Sequence, residues 1–102
     1  MVVMNANGTI ARCYNGFANT SSGNCAFVVA PPNGNSGNYT IDFGFQVNNR
    51  FILITPERGG NGVLMGANYQ FFESNSVDIF TFITNVTGTG QSANNPFTIV
   101  VF

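Results

Sequence analysis

The sequence predicts an all-β fold, an antiparallel β-sandwich of jelly-roll type with about seven or eight short strands. Three observations point to it. Apolar residues recur with a period of two rather than 3.6, the signature of strands with one buried face. Turn formers, with 12 Gly and 16 Asn among 102 residues, punctuate the chain at short intervals. No segment has the length and spacing of an amphipathic helix. The whole chain, 1–102, reads as one domain with one core.

Thr9–Tyr14 and Cys25–Ala30 are the first two strand candidates, and the turn-rich stretch NGFANTSSGN lies between them. Pro31-Pro32 and NGNSGN end the second, because neither proline can donate to a ladder. Residues 38–48 give the cleanest alternation: Tyr39, Ile41, Phe43, Phe45 and Val47 face one way, with Thr40, Asp42, Gly44, Gln46 and Asn48 on the other. Asn tolerates the left-handed backbone of a tight turn, so NNR at 48–50 predicts a turn into the strand Phe51–Thr55, and a meander. Val63–Met65, Tyr69–Glu73, Ser76–Thr84 and Phe97–Phe102 follow, separated by ERGGNG, ESNS and NVTGTGQSANNP.

Several strands are apolar on both faces. Phe51 and Leu53 oppose Ile52 and Ile54; Val77, Ile79 and Ile83 oppose Phe80 and Phe82; Phe97, Ile99 and Val101 oppose Val100 and Phe102. A sandwich has one inner layer, so a second apolar face needs another cover. Burial against other copies of the chain is the favoured reading, with Phe51, Ile52, Leu53, Ile54, Phe80, Phe82, Val100 and Phe102 as the candidate interface. The alternative is a set of central strands covered by long loops. The apolar end at Phe102 is expected to be tucked into packed structure.

Charge and composition exclude much chemistry. Three Arg against four acids give a formal charge of −1, and there is no Lys, His or Trp. A nucleic-acid partner needs a cationic patch that three scattered Arg cannot form, and no apolar run is long enough to insert in a membrane. MVVMNANG has neither the cationic start nor the apolar core of a signal peptide. Without His or Lys there is no imidazole base, Schiff base or phosphate-binding lysine. Asp42, Glu57, Glu73 and Asp78 could supply two carboxylates for glycoside hydrolysis, but no local motif pairs them; they read as solubilising charges. No enzyme activity, metal or other cofactor is expected.

Cys13 and Cys25 bracket a loop in a way that favours a disulfide, contributing about 3 kcal/mol by loop closure; two free structural thiols are the alternative. A disulfide implies an oxidising, extracellular or particle-surface location. The sequons at Asn7, Asn19, Asn38 and Asn85 matter only in a eukaryotic secretory host. Arg50 reads first as an ordinary surface cation; a pair with Asp42 or Asp78, or a clamp on a neighbouring chain's Phe102 carboxylate, is the sharper reading.

The order ANGTIARCYNG, GNCAFVVA, GNYTIDFGFQVNNRFILITPE, SVDIFTFIT and PFTIVVF resembles the small C-terminal head domains that end collagen-like or tail-fibre-like proteins of bacteria and their phages. Its most specific parts are YTIDFGFQVNNRF and the aromatic-aliphatic chain end. The resemblance implies a β-sandwich that trimerises at a fibre tip, on a cell or virion surface, and presents loops to a receptor, commonly a glycan. This chain has no stalk, Gly-X-Y repeat or heptad, and the resemblance carries over no catalytic residue.

Two function classes follow: a structural assembly domain, ranked first, and a carbohydrate-binding or decoration module. For the second, loops 15–24, 31–37, 57–62 and 85–95 offer sugar-compatible groups, with Tyr14, Asn15, Phe17, Asn33, Asn35, Asn61, Asn68 and Tyr69 as candidate ligand residues. The competing reading of each is turn geometry for Asn and core packing for the aromatics.

Overall fold

A computed structural model describes residues 1–57, 64–84 and 90–102. Two antiparallel sheets pack face to face, with nine strands and no helix among the described residues. The strands are β1 Val2–Met4, β2 Ile10–Cys13, β3 Val28–Ala30, β4 Asn38–Asp42, β5 Ile52–Pro56, β6 Leu64–Glu73, β7 Ser76–Thr84, β8 Gly90–Ser92 and β9 Phe97–Val101. One sheet runs β2-β1-β9-β5; the other runs β3-β4-β7-β6, with β8 also paired to β7.

The inner layer follows from the register. In the four-stranded sheet Cys13, Val2, Ile99 and Ile54 lie in one cross-strand row, and in the five-stranded sheet Ile41 and Tyr39 oppose Val77 and Ile79. Residues directly opposite each other share a face, and these rows build the core together with Met4, Phe43, Val47 and Phe97. The Tyr39 and Phe97 rings meet edge to face at 5.0 Å and join the sheets.

β7 is the spine of the second sheet. β6 covers one of its edges throughout, whereas β4 covers Ser76–Phe80 and β8 covers Phe82–Thr84 on the other. Thr81 stands at the handover, donating its N–H to the Gly37 carbonyl (2.7 Å) and accepting from the Ala93 N–H (3.3 Å). Gly37 has φ of +69°, and a side chain there would collide with the Thr81 and Ala93 carbonyl oxygens, so only glycine fits.

Residues 38–48 depart from the predicted single strand. Tyr39, Ile41, Phe43 and Val47 are buried as the alternation requires, but the ladder stops at Asp42. The Asp42 carboxylate accepts from the Gly44 N–H at 2.8 Å, and Gly44 takes φ of +74°, which bends the chain. Phe43 and Val47 then donate their N–H groups to the Asn75 and Ser74 carbonyls of the β6–β7 turn. The 48–50 turn forms, with Arg50 N–H on the Val47 carbonyl (3.0 Å), but it crosses to the other sheet instead of closing a hairpin. The expected meander is therefore replaced by an inter-sheet crossover. Val63 lies outside the described residues; the remainder of the two segments expected at Val63–Met65 and Tyr69–Glu73 belongs to one strand, Leu64–Glu73.

Candidate functional site: an apolar sheet face and an aromatic cleft

The eight candidate interface residues separate into three groups. Phe51, Leu53, Val100 and Phe102 share the outer face of the four-stranded sheet: Leu53 opposes Val100, and the Phe102 N–H bonds the Phe51 carbonyl at 2.9 Å. Phe51 is 84% exposed, Phe102 65% and Leu53 56%. Ile52 and Ile54 turn inward and pack on the core, so they cannot belong to an outer interface. Phe80 and Phe82 lie on the outer face of the opposite sheet, where the Phe82 ring lies across Gly66 on the neighbouring strand. Phe102 continues the ladder through its backbone, yet its ring is not tucked away as the apolar chain end suggested.

Beside the exposed face opens a cleft of about 390 Å³. Its lining includes Phe27 and Phe43, which are core residues, and Phe45, Phe17, Tyr14 and Val100 nearer the surface. Four of these rings form a continuous ladder. Phe27 and Phe43 meet at 5.2 Å, Phe43 and Phe45 at 5.9 Å, and Phe45 and Phe17 at 4.5 Å. The Arg50 guanidinium caps it, 4.8 Å from the Phe17 centroid and 5.5 Å from that of Phe45. Its Nε–H donates to the Gln46 carbonyl at 2.9 Å. Arg50 thus sits on aromatic faces; Asp42 is engaged with Gly44 and Asp78 with Thr40.

The loop that carries Tyr14 and Phe17 is fixed from within. Cys13 and Cys25 are joined, with Cα atoms 6.1 Å apart, as the loop spacing favoured. Asn15 is buried: its amide donates to the Cys25 carbonyl (2.9 Å) and its oxygen accepts from the Phe17 and Ala18 N–H groups. These bonds hold the side chain within the loop, and the residue also lines the cleft. Cys25 and Ala26 both hold positive φ, 55° and 63°, in a conformation costly for residues with a Cβ.

The other candidate ligand residues do not converge. Asn35 accepts from the Asn94 N–H at 2.8 Å, and Asn94 in turn accepts from the Gly37 N–H, so this cluster staples a loop to the 93–95 segment. Asn33 is exposed in the same loop. Asn68 and Tyr69 belong to β6, not to a loop, and Asn61 lies outside the described residues. Of the described members of the set, Tyr14, Asn15 and Phe17 meet in one concavity, together with three phenylalanines from other segments that sequence spacing could not associate.

Neither a protein-family model, a curated protein nor a solved structure matches the chain.

Proposed function

We propose that the chain is a non-enzymatic assembly domain, the head of a fibre or a subunit of a particle surface, that forms homotrimers through the outer face of its four-stranded sheet. The observation that carries this reading is the outer-face cluster of Phe51, Leu53 and Phe102, all exposed, beside the half-buried Val100. Burying a large apolar side chain is worth about 1.5–3 kcal/mol, and a patch of such residues marks an interaction surface. A copy of the same chain is the partner that net charge favours, because at −1 the molecules scarcely repel one another. The resemblance to trimeric fibre heads supports the number three, and the disulfide supports an extracellular setting.

Replacing Phe51 and Leu53 together by Ser should reduce the native mass to that of one chain, whereas Phe80→Ser on the opposite sheet should leave the assembly unchanged. Loss of assembly in the second variant only would place the interface on the wrong sheet.

A carbohydrate-binding reading has one observation in its favour. Asn68, Phe80 and Asn38 form a single row across the outer face of the five-stranded sheet, beside Gln70, Asp78 and Thr40. The Thr40 hydroxyl donates to the Asp78 carboxylate at 2.6 Å. An aromatic face between amides and a held carboxylate suits a sugar ring, and a glycan array with wild-type protein and Phe80→Ala tests it: binding lost in the variant supports the reading, and an empty array removes it.

A further inference from the structure

We infer that the aromatic cleft is a socket for a second copy of the chain: the Phe51 ring of one copy enters the cleft of the next, so each site is completed by its neighbour. The inference rests on the trimer reading above. A threefold ring joins two different patches of one chain, one projecting and one receiving, whereas a twofold contact can use a single patch twice. This chain carries both kinds. Phe51 projects, 84% exposed, with Leu53 and Phe102 beside it. The cleft receives, and no charged residue is among those described as lining it.

The two patches are continuous across one sheet. Leu53 opposes Val100, and Val100 follows Ile99, the partner of Val2, so it stands beside Met1. Met1 exchanges both backbone hydrogen bonds with Tyr14, each 2.9 Å. Leu53, Val100, Met1 and Tyr14 therefore form one row across the outer face, and the last three also line the cleft. β5 and β2 hold opposite edges of that sheet, so a copy that offers its β5 side to one neighbour keeps its cleft free for the other. Size and chemistry agree with a ring as occupant. An apolar cavity of about 150 Å³ already holds benzene, and this cleft has about 390 Å³. An entering ring extends the Phe27–Phe43–Phe45–Phe17 ladder by one more edge-to-face or offset contact. Asn15 already has hydrogen-bond partners within its loop, so an apolar occupant suits it. An aromatic anchor in a pocket is also the usual energetic centre of an interface.

Gly16 lines the cleft and allows it to be blocked without touching the projecting face. Its φ is not positive, and a Cβ there meets the Tyr14 ring at 3.6 Å, an ordinary contact. Gly16→Leu should therefore fold, and in light scattering during size exclusion it should run as one chain at a concentration where wild type holds three. In a wild-type trimer assembled from isotope-labelled and unlabelled chains, NMR contacts between chains should link the Phe51 ring to Phe17, Phe45 or Tyr14. Should Gly16→Leu fail to fold, these contacts decide. A wild-type trimer whose mass a folded Gly16→Leu leaves unchanged, or one in which Phe51 meets only the neighbour's outer face at Leu53 and Phe102, would overturn the socket and leave the trimer standing. A wild type that is one chain throughout would overturn both.

Discussion

The Tyr39 hydroxyl donates to the Ala6 carbonyl at 2.7 Å while its ring packs on Phe97, so one side chain serves both core and loop. Burial holds this phenol above its ordinary pKa, since phenolate loses water there. A raised folded pKa gives stability that is complete below the unfolded value of about 10 and is lost as pH rises through the folded value. The denaturation midpoint should therefore fall above pH 10, and Tyr39→Phe should flatten that fall while costing about 1–2 kcal/mol at neutral pH. Gly37→Ala should cost more, upwards of about 2 kcal/mol, because positive φ and two backbone carbonyls oppose a Cβ there. Ala26→Gly should act the other way: relief of its positive φ outweighs the added chain entropy and gains about 0.5–1 kcal/mol, read as a higher urea midpoint.

At the scale of elements, the loop between Cys13 and Cys25 stands on the disulfide and Asn15 together. Replacing both cysteines by Ser should destabilise the fold by about 2–4 kcal/mol and raise amide exchange first at residues 14–26. What the sequence showed of the elements follows from where the apolar pattern is dense. Ser76–Thr84 coincides with β7, and Phe97–Phe102 and Thr9–Tyr14 fall within a residue or two of β9 and β2, because each is a short strand-like run bounded by turn formers. Val2–Met4 has no alternation, as all three side chains are buried, and Gly90–Ser92 has no apolar residue at all; the latter strand exists because β4 leaves the end of β7 unpaired. Periodicity also could not reveal that Asp42 and Gly44 break the 38–48 run, since a bend that keeps Phe43 and Val47 buried preserves the pattern.

For the whole molecule, doubly apolar strands announced a surplus of hydrophobic surface but not its distribution. The register places Ile52 and Ile54 inside, Phe51, Leu53, Val100 and Phe102 on one outer face, and Phe80 and Phe82 on the other. The cleft was illegible for a different reason: its walls come from segments near residues 1, 14–17, 27, 43–45 and 100, and only the packed sandwich brings them together. Assembly through the four-stranded sheet is the central claim, and it covers the most exposed of these residues, Phe51. The most direct measurement is native mass by light scattering during size exclusion, over a range of protein concentrations. The mass of three chains, persisting on dilution, is the predicted result; the mass of a single chain at every concentration would contradict it.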